Sequence, residues 1–213
     1  MKNTSSTKSW VIFGAGNFIF DIEDAINSLN EAILCIVINT PIAKSIKSYF
    51  NDKLVSIEDY VYKKDHKCIF GFVSPAKSEI AISLAGKGVE FTNLVHKQAY
   101  IAGSVKMGQG NFIGAGSILG PNSVIGNHNF FNRGSLIGHD VKINDMNHFG
   151  PGSIICGRSE LESQCSFGAG SVVNDGIKIV SEVTIGSLGA VVDDIYKKGI
   201  YVGVPAKIIK KGS

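Results

Sequence analysis

The sequence predicts a two-part chain, an α/β domain over residues 1–94 followed by an all-β parallel β-helix over residues 95–213. Two observations carry this prediction. From Val95 an apolar residue returns every six positions for seventeen cycles, through Ile101, Met107, Ile113 and Leu119 to Ile185 and Val191. Ahead of that array, the apolar run Trp10 to Phe13 ends in Gly14-Ala15-Gly16 and is followed by helical spacing.

A helix face repeats every 3.6 residues and a half-buried strand every 2, so a sustained period of six fits neither and marks a parallel β-helix. The residue after each apolar one is often small, as at Ala102, Gly108, Gly114, Gly120 and Gly126. Four positions after the apolar one come Ser117, Ser123, Ser135 and Ser153, with Asn111, Asn129 and Asn147 the bulkiest occupants. Three hexapeptides make one roughly triangular turn. The large apolar residue and the one four later point inward, and glycine or asparagine is expected to bend the chain at the corners. Coils stacked at about 4.8 Å give a prism on the order of 27 Å long. Each coil buries its face only against its neighbours, which leaves flat outer walls suited to self-association.

The first 94 residues read as strand, glycine turn, helix and further strands. Trp10 to Phe13 is the first strand, and Ile22, Ala25, Ile26 and Leu29 carry the helical spacing after the turn. This opens a Rossmann-like βαβ unit, in which backbone N–H groups at the helix start face a phosphate. Ile19 stands where a dinucleotide fingerprint has its third glycine. The second strand, Ala32 to Ile38, ends in Asn39-Thr40-Pro41 with no acidic residue, so NAD is not expected. Strands are expected at Lys53 to Val55 and Cys68 to Val73, and helices at Ile57 to Tyr62 and Pro75 to Ala85. Beyond Val191 the phasing fades, and Tyr201 to Lys207 leads into a basic tail containing Lys210-Lys211.

Twenty-one basic residues against eighteen acidic ones argue for neither a nucleic-acid binder nor a membrane-surface protein. No apolar run approaches the length of a spanning helix, and the polar start Met1 to Ser9 is not a signal peptide, so a cytoplasmic protein is expected. Cys35, Cys68, Cys156 and Cys165 lack a C-x-x-C spacing and read as small packed thiols of a reducing compartment.

Of the five histidines, His139 stands out. Its hexapeptide keeps the inward residues Ile137 and Val141, which leaves His139 and Asp140 able to face outward or lie at a corner. An imidazole beside a carboxylate has its tautomer and orientation set, as a general base requires.

Four stretches resemble one family: the opening Val11 to Gly16, the run Leu94-Val95-His96, the stretch Asn132 to Asp140, and the closing Gly203-Val204-Pro205-Ala206-Lys207. They are similar to those of bacterial sugar acyltransferases of the left-handed β-helix superfamily. Within it they resemble the group of sialic-acid O-acetyltransferases and of N-acetyltransferases acting on nucleotide-linked 4-amino-4,6-dideoxy sugars. The resemblance implies a left-handed coil, a homotrimer with sites between neighbouring prisms, a nucleotide-linked amino sugar as acceptor, acetyl-CoA as co-substrate, no metal, and a place in surface-polysaccharide biosynthesis. It implies His139 as general base oriented by Asp140. Gly14, Gly16, Asn17, Asn39 and Asn132 would contact the acceptor, and His148, Gly168, Gly186, Pro205 and Lys207 would lie along acetyl-CoA. Asn17-Phe18 and Gly71-Phe72-Val73 depart from the family's usual residues there, which leaves the nucleotide open.

Because His139 and His148 are nine residues apart, about one and a half prism sides, one subunit is not expected to bring both to the same atom. Three other readings stand beside this one. A sugar O-acetyltransferase would use the same base. A metalloenzyme of the γ-carbonic-anhydrase kind would need His128, His139 and His148 to converge, although their spacings of 11 and 9 lack the five-residue step of that family. A non-catalytic β-helix scaffold would leave the His-Asp pair without a task.

Overall fold

The computed structural model describes residues 9–38, 41–73 and 77–209. The chain divides into two compact units, Met1–Lys97 and Gln98–Ser213.

In the first unit, β1 (Ser9–Phe13), β2 (Ala32–Ile38), β3 (Leu54–Ser56) and β4 (Lys67–Phe70) form a parallel sheet in the order β3-β2-β1-β4. Trp10, Val11, Ile12 and Phe13 are all buried, as are Cys68, Ile69 and Phe70. Such unbroken apolar runs suit strands covered on both faces. Helix α1 (Ile19–Ser28) follows the glycine turn and buries Ile19, Ile22, Ala25 and Ile26. Its three isoleucines contribute roughly 5–9 kcal/mol of transfer free energy, an upper value because the unfolded chain is not fully extended. One polar cluster closes the sheet edge: Glu31 accepts from the Trp10 indole N–H at 2.6 Å and from Lys67 Nζ at 2.6 and 2.7 Å.

Two elements differ from expectation. Residues Ile57 to Tyr62 form a turn instead of a helix. The Ser56 hydroxyl and the Asp59 backbone and carboxylate bond to one another as at a helix start. Tyr60 then ends the turn by packing edge-on against Phe13 at 5.4 Å and bonding His66 Nδ1 at 2.8 Å. A cavity of about 290 Å³ remains between this turn and the end of helix α3 (Lys77–Gly86), lined by Ile57, Tyr60, Tyr62, Leu84 and Val89. The unexpected helix is α2 (Lys44–Tyr49), which buries only Ile46 and so leaves no amphipathic trace in the sequence. Of the expected Pro75 to Ala85 helix, Pro75 lies outside the described residues.

The second unit is a parallel β-helix whose two-residue strands pair eighteen positions apart, as in Val124↔Lys142, Leu136↔Ile154 and Phe130↔His148. Wall 1 holds strands at 100–101, 118–119, 136–137, 154–155, 172–173 and 190–191, and wall 2 those at 106–107, 124–125, 142–143, 160–161 and 178–179. Wall 3 runs through 112–113, 130–131, 148–149, 166–167, 183–185 and 199–202, and an antiparallel strand, Lys207–Ile208, finishes it. Inside, Phe131, Phe149 and Phe167 stack face to face at 4.6 and 5.0 Å. The inward asparagines form a ladder, since each Oδ1 accepts a backbone N–H one coil on: Asn111 from Asn129, Asn129 from Asn147, and Asn147 from Cys165, at 2.8, 2.9 and 2.8 Å. Buried amide oxygens are thereby satisfied.

The corners bear out in part the expectation that glycine or asparagine makes the bend. The left-handed conformation falls three positions after the apolar residue, at fourteen successive corners from Gly110 to Leu188, and eight of these are not glycine, including Asp140, Met146 and Leu188. Each such residue costs on the order of 1–2 kcal/mol of backbone strain. Backbone hydrogen bonds between coils hold the corners, for instance Asp140 N–H to Pro121 O and Arg158 N–H to His139 O, both 2.9 Å. The earlier glycines serve coil stacking instead: a Cβ on Gly138 would lie 2.6 Å from Gly157 N, and one on Gly168 2.4 Å from Ser187 N.

Candidate active site

His139 and Asp140 occupy the corner between walls 1 and 2, directly after the strand Leu136–Ile137. Ile137 and Val141 are buried and anchor the corner from within, while the two polar side chains are about half exposed (51% and 49%). Nδ1 of His139 and Oδ2 of Asp140 are 2.7 Å apart. The His139 hydrogen bond holds the Asp140 carboxyl below the usual aspartate range, aided by the Asn122 side chain and the Arg158 charge one coil to either side. An ionised carboxylate only accepts, so Nδ1 carries the shared proton, and in the neutral ring Nε2 is then the acceptor nitrogen. The corner thus presents an imidazole whose tautomer is set by its carboxylate neighbour.

The coil after His139 supplies residues with no motif to announce them. A Cβ on Gly157 would lie 2.8 Å from His139 Nε2, 2.9 Å from Cε1 and 3.1 Å from Cδ2, so the imidazole rests on that glycine. Arg158 is paired with Asp175. The signal that locates them is the eighteen-residue stacking itself, since 139 and 157 are one coil apart.

His148 lies on wall 3, with its ring 5.6 Å from that of Phe130. Wall 3 is opposite the corner that bears His139, so a single prism separates the two. His128 sits buried at the corner between walls 2 and 3. The three repeat histidines therefore occupy three different places in one chain. Among the described residues no group of three metal-ligating side chains stands together.

Asn132 is not beside His139. It is buried at the corner between walls 3 and 1, where its Oδ1 accepts the Arg133 backbone N–H at 2.7 Å. It stands in a column, one residue per coil, with Gly114 one coil before it and Gly150, Gly168 and Gly186 after it. Gly168 and Gly186 thus lie along the edge of wall 3, the wall that carries His148. Lys207 is exposed in the strand that finishes this wall, and Pro205 is exposed in the turn before it.

In the glycine turn of the first unit, two backbone donors are used within the fold. Gly14 N–H donates to Val37 O at 2.7 Å and Gly16 N–H to Gly71 O at 3.0 Å. Phe72 covers the turn, with its Cδ1 2.5 Å from where a Gly14 Cβ would be. Asn17 is exposed in the turn before α1. Asn39 lies outside the described residues.

The outer faces of the walls differ in kind. Wall 1 presents Tyr100, Ile118, Leu136, Ile154, Val172 and Ala190 outward, with the first three at 62%, 42% and 36% exposure. Wall 2 presents Lys106, Val124, Lys142, Glu160 and Lys178, with Glu160 3.1 Å from Lys142 and 3.6 Å from Lys178.

No protein-family model and no curated protein sequence matches this chain. Among solved structures, the acetyltransferase domain of PglB from Neisseria gonorrhoeae FA1090 matches with a TM-score of 0.85 at 20% identity, over 95% of this chain and 100% of that one. The perosamine N-acetyltransferase from Caulobacter crescentus, solved with CoA and GDP-perosamine, matches at 0.83 and 22%, over 95% and 97%. WeeI from Acinetobacter baumannii AYE matches at 0.78 and 19%, over 94% and 99%. At these identities the likeness is one of fold, and the fold of this chain is the one these acetyltransferase structures share.

Proposed function

We propose that the protein is an acetyl-CoA-dependent N-acetyltransferase acting on the amino group of a nucleotide-linked amino sugar. The observation that carries this reading is the His139–Asp140 pair, an exposed imidazole whose Nδ1 lies 2.7 Å from the Asp140 carboxylate. The fold likeness supports the substrate classes, because solved structures of that fold hold acetyl coenzyme A in one case and CoA with GDP-perosamine in another.

The sugar amine attacks the thioester carbonyl directly. His139 Nε2 takes the proton lost by the attacking nitrogen and returns it to the departing CoA sulfur, while Asp140 stabilises the imidazolium between the two events. Backbone N–H groups or His148 of a neighbouring copy steady the tetrahedral oxyanion. The Gly168 and Gly186 column along the edge of wall 3 suits a long, thin co-substrate, with His148 at its thioester end and Pro205 and Lys207 at the far end, and Asn132 in the same column is read as contacting the acceptor.

The coil is read as left-handed and the assembly as a homotrimer. The apolar outer face of wall 1 supports the trimer: its two edges are the His139 corner and the Asn132–Gly186 column, so packing on wall 1 brings the first edge of one copy to the second edge of the next. The first unit is read as Rossmann-like and as the holder of the nucleotide, on the support of its β3-β2-β1-β4 parallel order. Gly14 and Gly16 shape the turn, and they, Asn17 and Asn39 are read as contacting the acceptor. Such a product belongs to surface-glycan biosynthesis in the cytoplasm. Among the described residues no helix is long and apolar enough to cross a membrane.

The test mixes purified protein with acetyl-CoA and a panel of GDP-, UDP- and dTDP-linked amino sugars and their hydroxyl counterparts, following thiol release and product mass. Acetylation of an amine is expected. Release with hydroxyl sugars alone would make the protein an O-acetyltransferase, and no release with any acceptor would favour a scaffold.

A further inference from the structure

We infer that Gly157 is a positioning residue for the general base: its missing side chain is the seat of the His139 imidazole. This rests on the reading of His139 as base.

The coil itself does not ask for glycine at 157. Its φ is not in the left-handed region, and the three atoms nearest a Cβ there are all ring atoms of His139, at 2.8, 2.9 and 3.1 Å. The equivalent place in other hexapeptides holds Arg133, Asp145, Pro151, Ser163 or Ala169. Gly138 is the contrast: a Cβ there would strike the Gly157 backbone at 2.6 Å, so that glycine belongs to the stacking of coils.

The ring above Gly157 is the free end of a side chain 51% exposed. It can swing into solvent at little expense, so a methyl group at 157 leaves the coil intact and displaces the imidazole. Swinging it re-aims Nε2 and lengthens the 2.7 Å contact between Nδ1 and Asp140. A reacting atom moved by about 1 Å loses on the order of 10²-fold in rate.

The experiment is Gly157→Ala, read four ways in the full-length protein. We expect the melting temperature to hold or rise, the ¹⁵N and ¹H resonances of the His139 imidazole to shift as its bond to Asp140 weakens, and kcat to fall about 10- to 10²-fold with the KM for acetyl-CoA unchanged. In a His139→Ala background the same substitution should have no further effect on turnover, because two changes acting through one ring are not additive. Unshifted imidazole resonances overturn the proposal, as does a lowered melting temperature with losses that add to those of His139→Ala. If the wild-type protein acetylates no acceptor, the functional reading fails, while the imidazole resonances still decide whether Gly157 seats the ring.

Discussion

Two glycines of this chain lie beneath aromatic rings, and the two pairs do different work. Gly14 has φ +79 and Phe72 2.5 Å from its would-be Cβ, so backbone and packing both require glycine there. Its N–H and that of Gly16 end on protein carbonyls, and the covering ring has no titratable group. Gly157 has an ordinary backbone, and the ring above it is half exposed and bonded to a carboxylate. The first arrangement closes a turn and the second holds a half-exposed imidazole at the surface. A glycine in a sequence reports only that a side chain is missing; what fills the space decides between architecture and chemistry.

The contrast breaks most directly at His139. His139→Ala should lower kcat about 10²- to 10⁴-fold while acetyl-CoA affinity, measured by calorimetry, stays close to wild type. Retained turnover would remove the ring from the mechanism and leave Gly157 as bare packing.

At the other glycine the loss should be one of stability. Gly14→Ala combines a left-handed backbone with a clash against Phe72, and together these should cost about 2–5 kcal/mol in urea unfolding. Adding Phe72→Ala should relieve the steric share only, so the double variant unfolds later than the sum of the two single losses predicts. An unfolding midpoint unchanged by Gly14→Ala would mean the turn is not the closed unit described.

The same division between architecture and site extends to the walls. Leu136→Glu places a charge in the apolar outer face of wall 1 and should shift the sedimentation of the protein toward the monomer, whereas Val124→Glu on the charged wall 2 should not. Equal behaviour of the two variants would deny wall 1 its role in assembly.

The smallest effect concerns acid. The Asp140 carboxyl lies below the usual aspartate range, chiefly through its hydrogen bond to His139. A lowered carboxyl favours the folded state. That contribution is complete above the ordinary aspartate value and disappears as pH falls through the lowered one. Carbon-detected NMR titration should find Asp140 still ionised where free aspartate is half protonated, and His139→Ala should bring its midpoint back up. A midpoint insensitive to His139 would mean the 2.7 Å contact does not persist in solution.

Much of the coil was legible because every hexapeptide repeats the same instruction, from Val95 to Val191. The corners were not, since Met146, Gln164 and Leu188 adopt left-handed backbone that their residue types disfavour and that inter-coil hydrogen bonds sustain. In the first unit α1 was readable from Ile22, Ala25 and Ile26, but α2 buries one side chain and left no pattern. The helix expected at Ile57 to Tyr62 has a helix-like start at Ser56, and the docking of Tyr60 on Phe13 overrides it. At the site, the His-Asp pair could be seen as adjacent letters. The separation of Asn132 from His139 could be found only by counting in eighteens.

By itself, then, the sequence determined the β-helix, its inward residues and the pairing of His139 with Asp140, because period and adjacency are local properties that each repeat states again. Tertiary structure alone decided that the His139 ring rests on Gly157 and that the donors of Gly14 and Gly16 are already taken. Those facts depend on which coil lies above which and on which carbonyl a given N–H reaches first, and contacts between residues far apart in sequence settle both.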